Sequence, residues 1–269
     1  MRREDAHSVS TPDMKVSGVS AAVGGRTVVS GVTFDVPAGA KLALVGTNGS
    51  GKSTLLRALA GINPAVSGSV TLDGRAVQRI KARERARMIS FVSQEEVPPA
   101  ELRLGEMVAL GRIPHRPPWA IDTASEERIV VESLTAVGLE KRIGSPCDHL
   151  SGGERRRAMI ARGLAQECPV LILDEPTNHL DIAWQLRLLD LIGDLQGTVI
   201  AAIHDIDSVL RHFDLVAVLH EGRLWAFGDP VEVINHTLMD QAFEVDAQQF
   251  MNPTTQQPHL LISRRKDQS

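Results

Sequence analysis

The sequence predicts an α/β fold: a mostly parallel sheet with flanking helices, an antiparallel β region before it, and a helical lobe inserted into it. Three observations predict this. Runs such as Leu42-Ala43-Leu44-Val45 and Val170-Leu171-Ile172-Leu173 are wholly apolar and short, the composition of parallel strands buried on both faces. Four such candidates each deliver a polar residue or loop at their carboxyl end: Val45 a glycine-rich loop, Val92-Ser93 the residue Gln94, Leu173 the pair Asp174-Glu175, and Ile203 the residue His204. In open α/β sheets ligands sit at the carboxyl ends of the strands, so one shared sheet gathers these residues around one ligand. After Gln94 the texture changes, and strand signal almost vanishes until about His149.

In chain order, Met1 to Asp13 is polar, has no apolar stretch of signal-peptide type, and reads as a disordered leader. Met14 to Val36 is β-like, with Gly24-Gly25 as a hairpin turn. Thr54 to Ala60 is helix-prone and ends near Gly61. Ser69-Val70-Thr71-Leu72 is a short strand closing on the turn pair Asp73-Gly74. A charged helix over Lys81 to Arg87 precedes the strand Met88 to Ser93. Within the lobe, Glu95-Glu96-Val97-Pro98-Pro99 is a break, Leu104 to Gly111 a short helical segment, and Pro114, Pro117 and Pro118 crowd a loop. Ile129, Val130, Leu134 and Val137 recur at helical spacing between Thr123 and Gly138. The core resumes at Val170, followed by a helix from about Ile182 to Leu195 and strands at Thr198–Ile203, Leu215–Leu219 and Arg223–Ala226. Asp229-Pro230-Val231-Glu232 has the cap, proline and acidic residue of a helix start. Beyond it only His259-Leu260-Leu261-Ile262 carries a weak strand pattern. The organisation expected is a leader (1–13), one domain (14–236) with its core in 14–94 and 150–236 and its lobe in 95–149, and a C-terminal extension (237–269).

Bulk properties narrow the function. Hydrophobic residues make up 43% of 269, enough to bury a core of this size. The net charge of −4 argues against a nucleic-acid surface, which is normally basic, so no nucleic-acid partner is expected. Cys147 and Cys168 lack metal-ligand or C-x-x-C spacing and suit a reducing compartment. No apolar run approaches the roughly 18–20 residues that span a bilayer, so a membrane role needs a partner.

The chemistry starts at Gly46-Thr47-Asn48-Gly49-Ser50-Gly51-Lys52-Ser53-Thr54, a G-x-x-x-x-G-K-S phosphate loop between a strand and a helix. The glycines allow the backbone to turn its N–H groups inward, and the new helix adds the positive end of its dipole. Lys52 supplies a charge for the β- and γ-phosphates, and the Ser53 hydroxyl a ligand for Mg²⁺, so the ligand expected is a nucleoside triphosphate with Mg²⁺. The core is thus that of a P-loop NTPase. Asp174 suits the Mg²⁺ shell, and Glu175 can deprotonate an attacking water. Leu150-Ser151-Gly152-Gly153-Glu154 is an N-capped helix start with exposed backbone N–H groups, a second anion site.

An L-S-G-G-E segment between a phosphate loop and an acidic strand resembles the signature of ATP-binding-cassette (ABC) ATPases, and the resemblance runs from about Met14 to about Ile234. It implies that the nucleotide is ATP, and a head-to-tail dimer in which Leu150, Ser151, Gly152, Gly153 and Glu154 of one copy close on the ATP held by the other. It further implies that Gln94 senses Mg²⁺ and γ-phosphate and couples to membrane permease subunits. Ser53, Gln94 and Asp174 then form the metal site, Glu175 is the catalytic base and His204 contacts the γ-phosphate. Asp181, in Asn178-His179-Leu180-Asp181, takes the place of the aspartate that crosses to the other copy. Leu110-Gly111-Arg112-Ile113-Pro114-His115 resembles the narrower branch of importers for ferric siderophores, haem and vitamin B12, although Arg112 and His115 also suit packing within the lobe. Within that branch the expectation is a ferric siderophore, then haem or vitamin B12; the rival class is a non-transport ABC ATPase acting on ribosomes or nucleic acid. An extracytoplasmic substrate-binding protein is implied indirectly, as is a place on the cytoplasmic side of the membrane. One departure stands out: the family usually stacks an aromatic residue on adenine just before the Gly24-Gly25 turn. Here that residue is Val23, and the chain contains no tyrosine.

Overall fold

A computed structural model describes residues 11–116 and 123–265. Most of the expected leader, residues 1–10, and Pro117 and Pro118 of the proline-rich loop lie outside the described residues. Asp13 is tied in place: its carbonyl accepts from Asp73 N at 3.0 Å, and its carboxylate from Ala38 N at 2.9 Å.

Strands β1 (Met14–Val23) and β2 (Arg26–Val36) form the expected antiparallel hairpin, and β4 (Ser67–Leu72) and β5 (Arg75–Ala76) extend it into a sheet of order β2-β1-β4-β5. Between them come β3 (Lys41–Gly46) and α1 (Lys52–Leu59). Helix α2 (Ala82–Met88) leads into β6 (Ile89–Val92). The lobe holds α3 (Leu104–Ala109), α4 (Thr123–Ala136) and single 3₁₀ turns, as the helical spacing predicts. Next follow α5 (Gly152–Ala165), β7 (Val170–Leu173), α6 (Ile182–Asp194), β8 (Thr198–Ala202), α7 (Ile206–His212), β9 (Leu215–His220) and β10 (Arg223–Gly228).

The second sheet has the order β10-β9-β3-β8-β7-β6. Every pairing from β9 to β6 is parallel, and β10 adds to β9 antiparallel, so the four strands that deliver polar residues share one sheet. Their apolar runs are explained by two cores. Leu42 and Leu44 of β3, Ile172 of β7 and Ile200 of β8 face α1 and the antiparallel sheet. Ala43, Val45, Leu171, Leu173, Val199 and Ala201 alternate to the opposite face, against α5 and the lobe. Side chains alternate faces along a strand, so a strand buried on both faces must be apolar throughout.

At the carboxyl edge of β3, a Cβ on Gly46 would lie 2.2 Å from the Leu219 carbonyl oxygen and 2.7 Å from Ser50 Oγ. Gly46→Ala is therefore expected to destabilise the fold by about 1–3 kcal/mol through overpacking. That lowers the thermal midpoint by roughly 2–4 °C per kcal/mol in a domain of this size. An unchanged midpoint in a calorimetric scan would show that the end of β9 gives way freely.

The C-terminal part holds more structure than the sequence reveals. Helix α8 (Pro230–Val233) is the one announced by Asp229, but α9 (His236–Phe243) and the hairpin of β11 (Val245–Met251) with β12 (Pro258–Arg264) follow it. Leu238, Met239, Ala247 and Leu260 join the core on the α5 face of the sheet. The hairpin is fastened to α7, where Asp207 Oδ1 accepts from Leu260 N at 2.7 Å.

Candidate active site

The phosphate loop leaves β3 at Gly46 and enters α1 through Gly51, whose φ of 99° is the left-handed conformation glycine adopts without strain. Val28 and Val29 of β2 pack onto it so closely that a Cβ on Gly51 would lie 2.7 Å from Val29 Cγ2. That contact ties β2 to the loop, and Val23, at the end of β1, is 53% exposed. Thr47, Asn48 and Gly49 are exposed at its crest, while Ser50 and Thr54 are buried beneath it. Lys52 is buried, and its Nζ donates to the carbonyls of Gly46 at 2.9 Å and Thr47 at 3.2 Å, so its charge is held within the loop. Burial pulls the Lys52 pKa down, against the upward pull of Glu175 and Asp174. The first turn of α1 has no acidic residue, which leaves its N-terminal N–H groups suited to an anion.

The ends of the neighbouring strands converge on this loop. Ser53 Oγ donates to Asp174 Oδ1 at 3.0 Å. Asp174 is fully buried, and among the described residues its Oδ2 has no hydrogen-bond partner. Burial raises the Asp174 pKa, opposed first by the Ser53 hydrogen bond. Glu175 Oε2 accepts from Gln94 Nε2 at 2.6 Å and from Asn178 Nδ2 at 2.5 Å, and its Oε1 lies 2.6 Å from His204 Nε2. Glu175 has a φ of 50°, a conformation costing a non-glycine residue about 1–3 kcal/mol that persists only where its surroundings hold it. Gln94, Asp174, Glu175 and His204 are thus brought together with Lys52 and Ser53, as the strand-end pattern predicts.

The L-S-G-G-E segment sits apart. Leu150 is buried, whereas Ser151 and Gly152 are exposed. Ser151 caps α5: its Oγ accepts from Glu154 N at 3.3 Å, and Glu154 Oε2 accepts from Ser151 N at 2.9 Å. The backbone bond from Ser151, with Arg142 3.1 Å away, lowers the Glu154 pKa. A Cβ on Gly153 would be 3.3 Å from the His179 carbonyl oxygen, so this turn abuts the loop holding Asp181, while one on Gly152 would meet open space. Asp181 Oδ1 accepts from Trp184 N at 2.9 Å and caps α6. Among the described residues, no hydrogen bond or ion pair joins residues 150–154 or Asp181 to the phosphate loop.

Two residues escape the sequence reading. Asn178 reaches Glu175, and Arg156 is buried with its guanidinium on three carbonyl oxygens: Ser93 at 2.7 Å, Asp174 at 2.5 Å and Pro176 at 3.4 Å. A signal for Arg156 did exist. On α5 it lies in helical register with the buried Met159, Ile160 and Gly163, so it belongs to the inward face. Arg112 and His115 are engaged in packing. Arg112 Nη1 donates to the Ala165 carbonyl at 2.8 Å and to Glu167 at 2.7 Å, Glu126 is 3.3 Å away, and His115 Nε2 is 2.8 Å from the Gln166 carbonyl. They bind the lobe to the end of α5.

The ABC transporter family profile matches residues 29–178. Ferric enterobactin transport ATP-binding protein FepC of Escherichia coli is 37% identical over 224 residues, covering 82% of this chain and 83% of that protein. Hemin import ATP-binding protein HmuV of Streptomyces coelicolor is 39% identical over 243 residues, covering 88% of this chain and 85% of that protein. Among solved structures, a dimeric ATP-binding cassette in a post-hydrolysis state, bound to ADP and Pi, superposes with a TM-score of 0.74 at 25% identity. That match covers 81% of this chain and 98% of the other. The chain therefore belongs to the ABC transporter family, as an ATPase subunit.

Proposed function

We propose that two copies of this chain, docked head to tail, hydrolyse ATP to drive permease subunits that import a ferric siderophore. The observation that carries the hydrolytic part is the Glu175 carboxylate, bound by Gln94 and Asn178 and beside His204, at the strand edge that also carries Lys52, Ser53 and Asp174. The phosphate loop holds the phosphates through backbone N–H groups and Lys52. Glu175 orients a water for in-line attack and accepts its proton. On this reading His204, beside Glu175, donates a hydrogen bond to the γ-phosphate. The unpartnered, buried Oδ2 of Asp174 beside the Ser53 hydroxyl fits a hard divalent cation, since such an oxygen is rarely left unsatisfied. Ser53, Asp174 and Gln94 would hold Mg²⁺, which when bound neutralises charge on the β- and γ-phosphates. The exposed Ser151-Gly152 turn, separate from its own phosphate loop, suits a signature that acts on the nucleotide of a second copy.

Import is supported by the relatives, two of which are named for ferric enterobactin and hemin. No described helix is long and apolar enough to cross a membrane. On the import reading, which the named relatives support, the chain is a peripheral subunit on the cytoplasmic side that works with permease subunits and, indirectly, an extracytoplasmic binding protein. The test is purification with its permease, reconstitution in vesicles, and measurement of ATPase stimulation by binding proteins loaded with ferric siderophore, haem or cobalamin. Stimulation by the siderophore alone is expected. Stimulation by haem or cobalamin instead would reassign the cargo, and failure to associate with any permease would overturn the transport reading.

Val23 bears on nucleotide choice. Base–aromatic stacking is worth about 1–3 kcal/mol in single-strand binders. The exposed Val23, with Arg26 across the turn, offers only weak apolar and guanidinium contact. Binding then rests on the phosphates, and ATP and GTP should be hydrolysed within about tenfold of each other. Val23→Tyr should lower KM for ATP and change kcat little, because stacking is uniform binding. Steady-state constants for both nucleotides check this; a preference for ATP above about a hundredfold would mean that another group reads the base.

A further inference from the structure

We propose that Arg156 is a positioning residue for hydrolysis: it registers Gln94 and Glu175, through their neighbouring peptide carbonyls, to the helix that begins at the signature. The inference rests on the reading of Glu175 as the base.

Beyond Val92 and Leu173 the β6–β7 ladder stops, and the Asp174 N–H to the Val92 carbonyl, at 2.9 Å, is its last rung. Gln94 and Glu175 both lie past that rung, so the sheet alone does not fix them. One guanidinium does. Its Nη1 holds the carbonyl of the Ser93–Gln94 peptide at 2.7 Å, its Nη2 that of the Asp174–Glu175 peptide at 2.5 Å, and its Nε reaches the Pro176 carbonyl at 3.4 Å. Because a peptide is planar, pinning its carbonyl orients the residue that follows. Arg156 thereby orients the backbone of both Gln94 and Glu175, and the left-handed φ of Glu175 needs such a restraint.

The same helix grips the far side of Gln94. Arg162 binds Glu96 with both terminal nitrogens, at 2.5 and 2.6 Å. The Gln94 segment is therefore bracketed by two arginines of α5, and the first turn of α5 is the Ser151-Gly152 turn. A rigid helix makes the placement of that turn on a second copy and the placement of Gln94 and Glu175 one event. An apolar side chain would serve packing alone; what Arg156 supplies is donors to three carbonyls, which are costly to leave unpaired when buried. The planar fork suits three carbonyls lying in different directions.

The test uses the full chain with Arg156→Met, which keeps length and removes every donor, Arg156→Lys, which keeps a charged donor, and Glu175→Gln as comparator. ATP affinity is read with a fluorescent nucleotide analogue, and kcat and KM from steady-state hydrolysis. Arg156→Met should lower kcat and kcat/KM together by about 10²-fold, as a misplacement on the order of 1 Å does, with ATP affinity as in the wild type. Arg156→Lys should recover part of the rate. A folded Arg156→Met protein with wild-type kcat overturns the inference, as does a loss of rate that follows an equal loss of ATP affinity without recovery by lysine. If the methionine variant fails to fold, Arg156→Gln, with one amide donor, is judged by the same criteria. Wild-type turnover in Glu175→Gln would instead overturn the reading of the base itself.

Discussion

Glu175→Gln is expected to keep ATP bound and to reduce its hydrolysis by roughly 10²–10⁴-fold, the usual loss when a general base is removed. The geometry makes this a clean experiment. Glutamine has the same shape, and its amide oxygen can accept from Gln94 and Asn178 as Oε2 of Glu175 does, at 2.6 and 2.5 Å. Its amide nitrogen then faces His204, whose Nε2 lies 2.6 Å from the other carboxylate oxygen, and a neutral imidazole can accept there. The network should survive while the proposed base is gone. Phosphate contacts through Lys52 and the loop are untouched, so nucleotide affinity should hold. With hydrolysis stopped, the closed pair of copies should persist, and gel filtration with ATP and Mg²⁺ should show a dimer that the wild type does not accumulate. Turnover at the wild-type rate would remove Glu175 from the mechanism.

What could be read from the sequence was the chemistry whose parts are adjacent in the chain. Gly46 to Thr54 carries its glycines, lysine and serine in one loop, and Asp174-Glu175 follows an apolar strand directly, so spacing alone locates them. The gathering of Gln94 and His204 at the same edge was legible because parallel strands buried on both faces leave a wholly apolar run and an abrupt polar end. Arg156 was hidden because its partners are backbone carbonyls of Ser93, Asp174 and Pro176, which carry no sequence identity. Arg112 presented two chemistries in sequence, and only the bonds to Ala165 and Glu167 show that it packs the lobe. The hairpin of β11 and β12 left a faint pattern because only Ala247 and Leu260 of it are buried, too few to produce alternation. Asp181 is a further case: the structure gives it a cap of α6, so an effect of substituting it mixes helix stability with any contact to a second copy.

Ser151→Arg is the second large effect expected, and its interpretation turns on comparing two magnitudes. The substitution removes a cap whose hydrogen bond, Glu154 N to Ser151 Oγ, is 3.3 Å long. Losing an N-cap costs about 0.5–2 kcal/mol, and the other half of the box survives because Glu154 binds the backbone N–H of residue 151 at 2.9 Å. Most domains are stable by about 5–15 kcal/mol, so the single copy should remain folded. Ser151 is exposed, and a Cβ on its neighbour Gly152 would meet nothing within 4 Å, so the long side chain has room in one copy alone. Between two copies docked as proposed it would have none: bulk and charge would occupy the face that closes on the partner's nucleotide. Hydrolysis should therefore be abolished while each copy still binds ATP, and the ATP-dependent dimer should not form. Ser151→Ala separates the two causes, since it loses the same cap and adds no bulk. If the alanine variant hydrolyses ATP and the arginine variant does not, the obstruction acts between copies. If the arginine variant is fully active, the Ser151-Gly152 turn is only the cap of α5, and the head-to-tail arrangement loses its support.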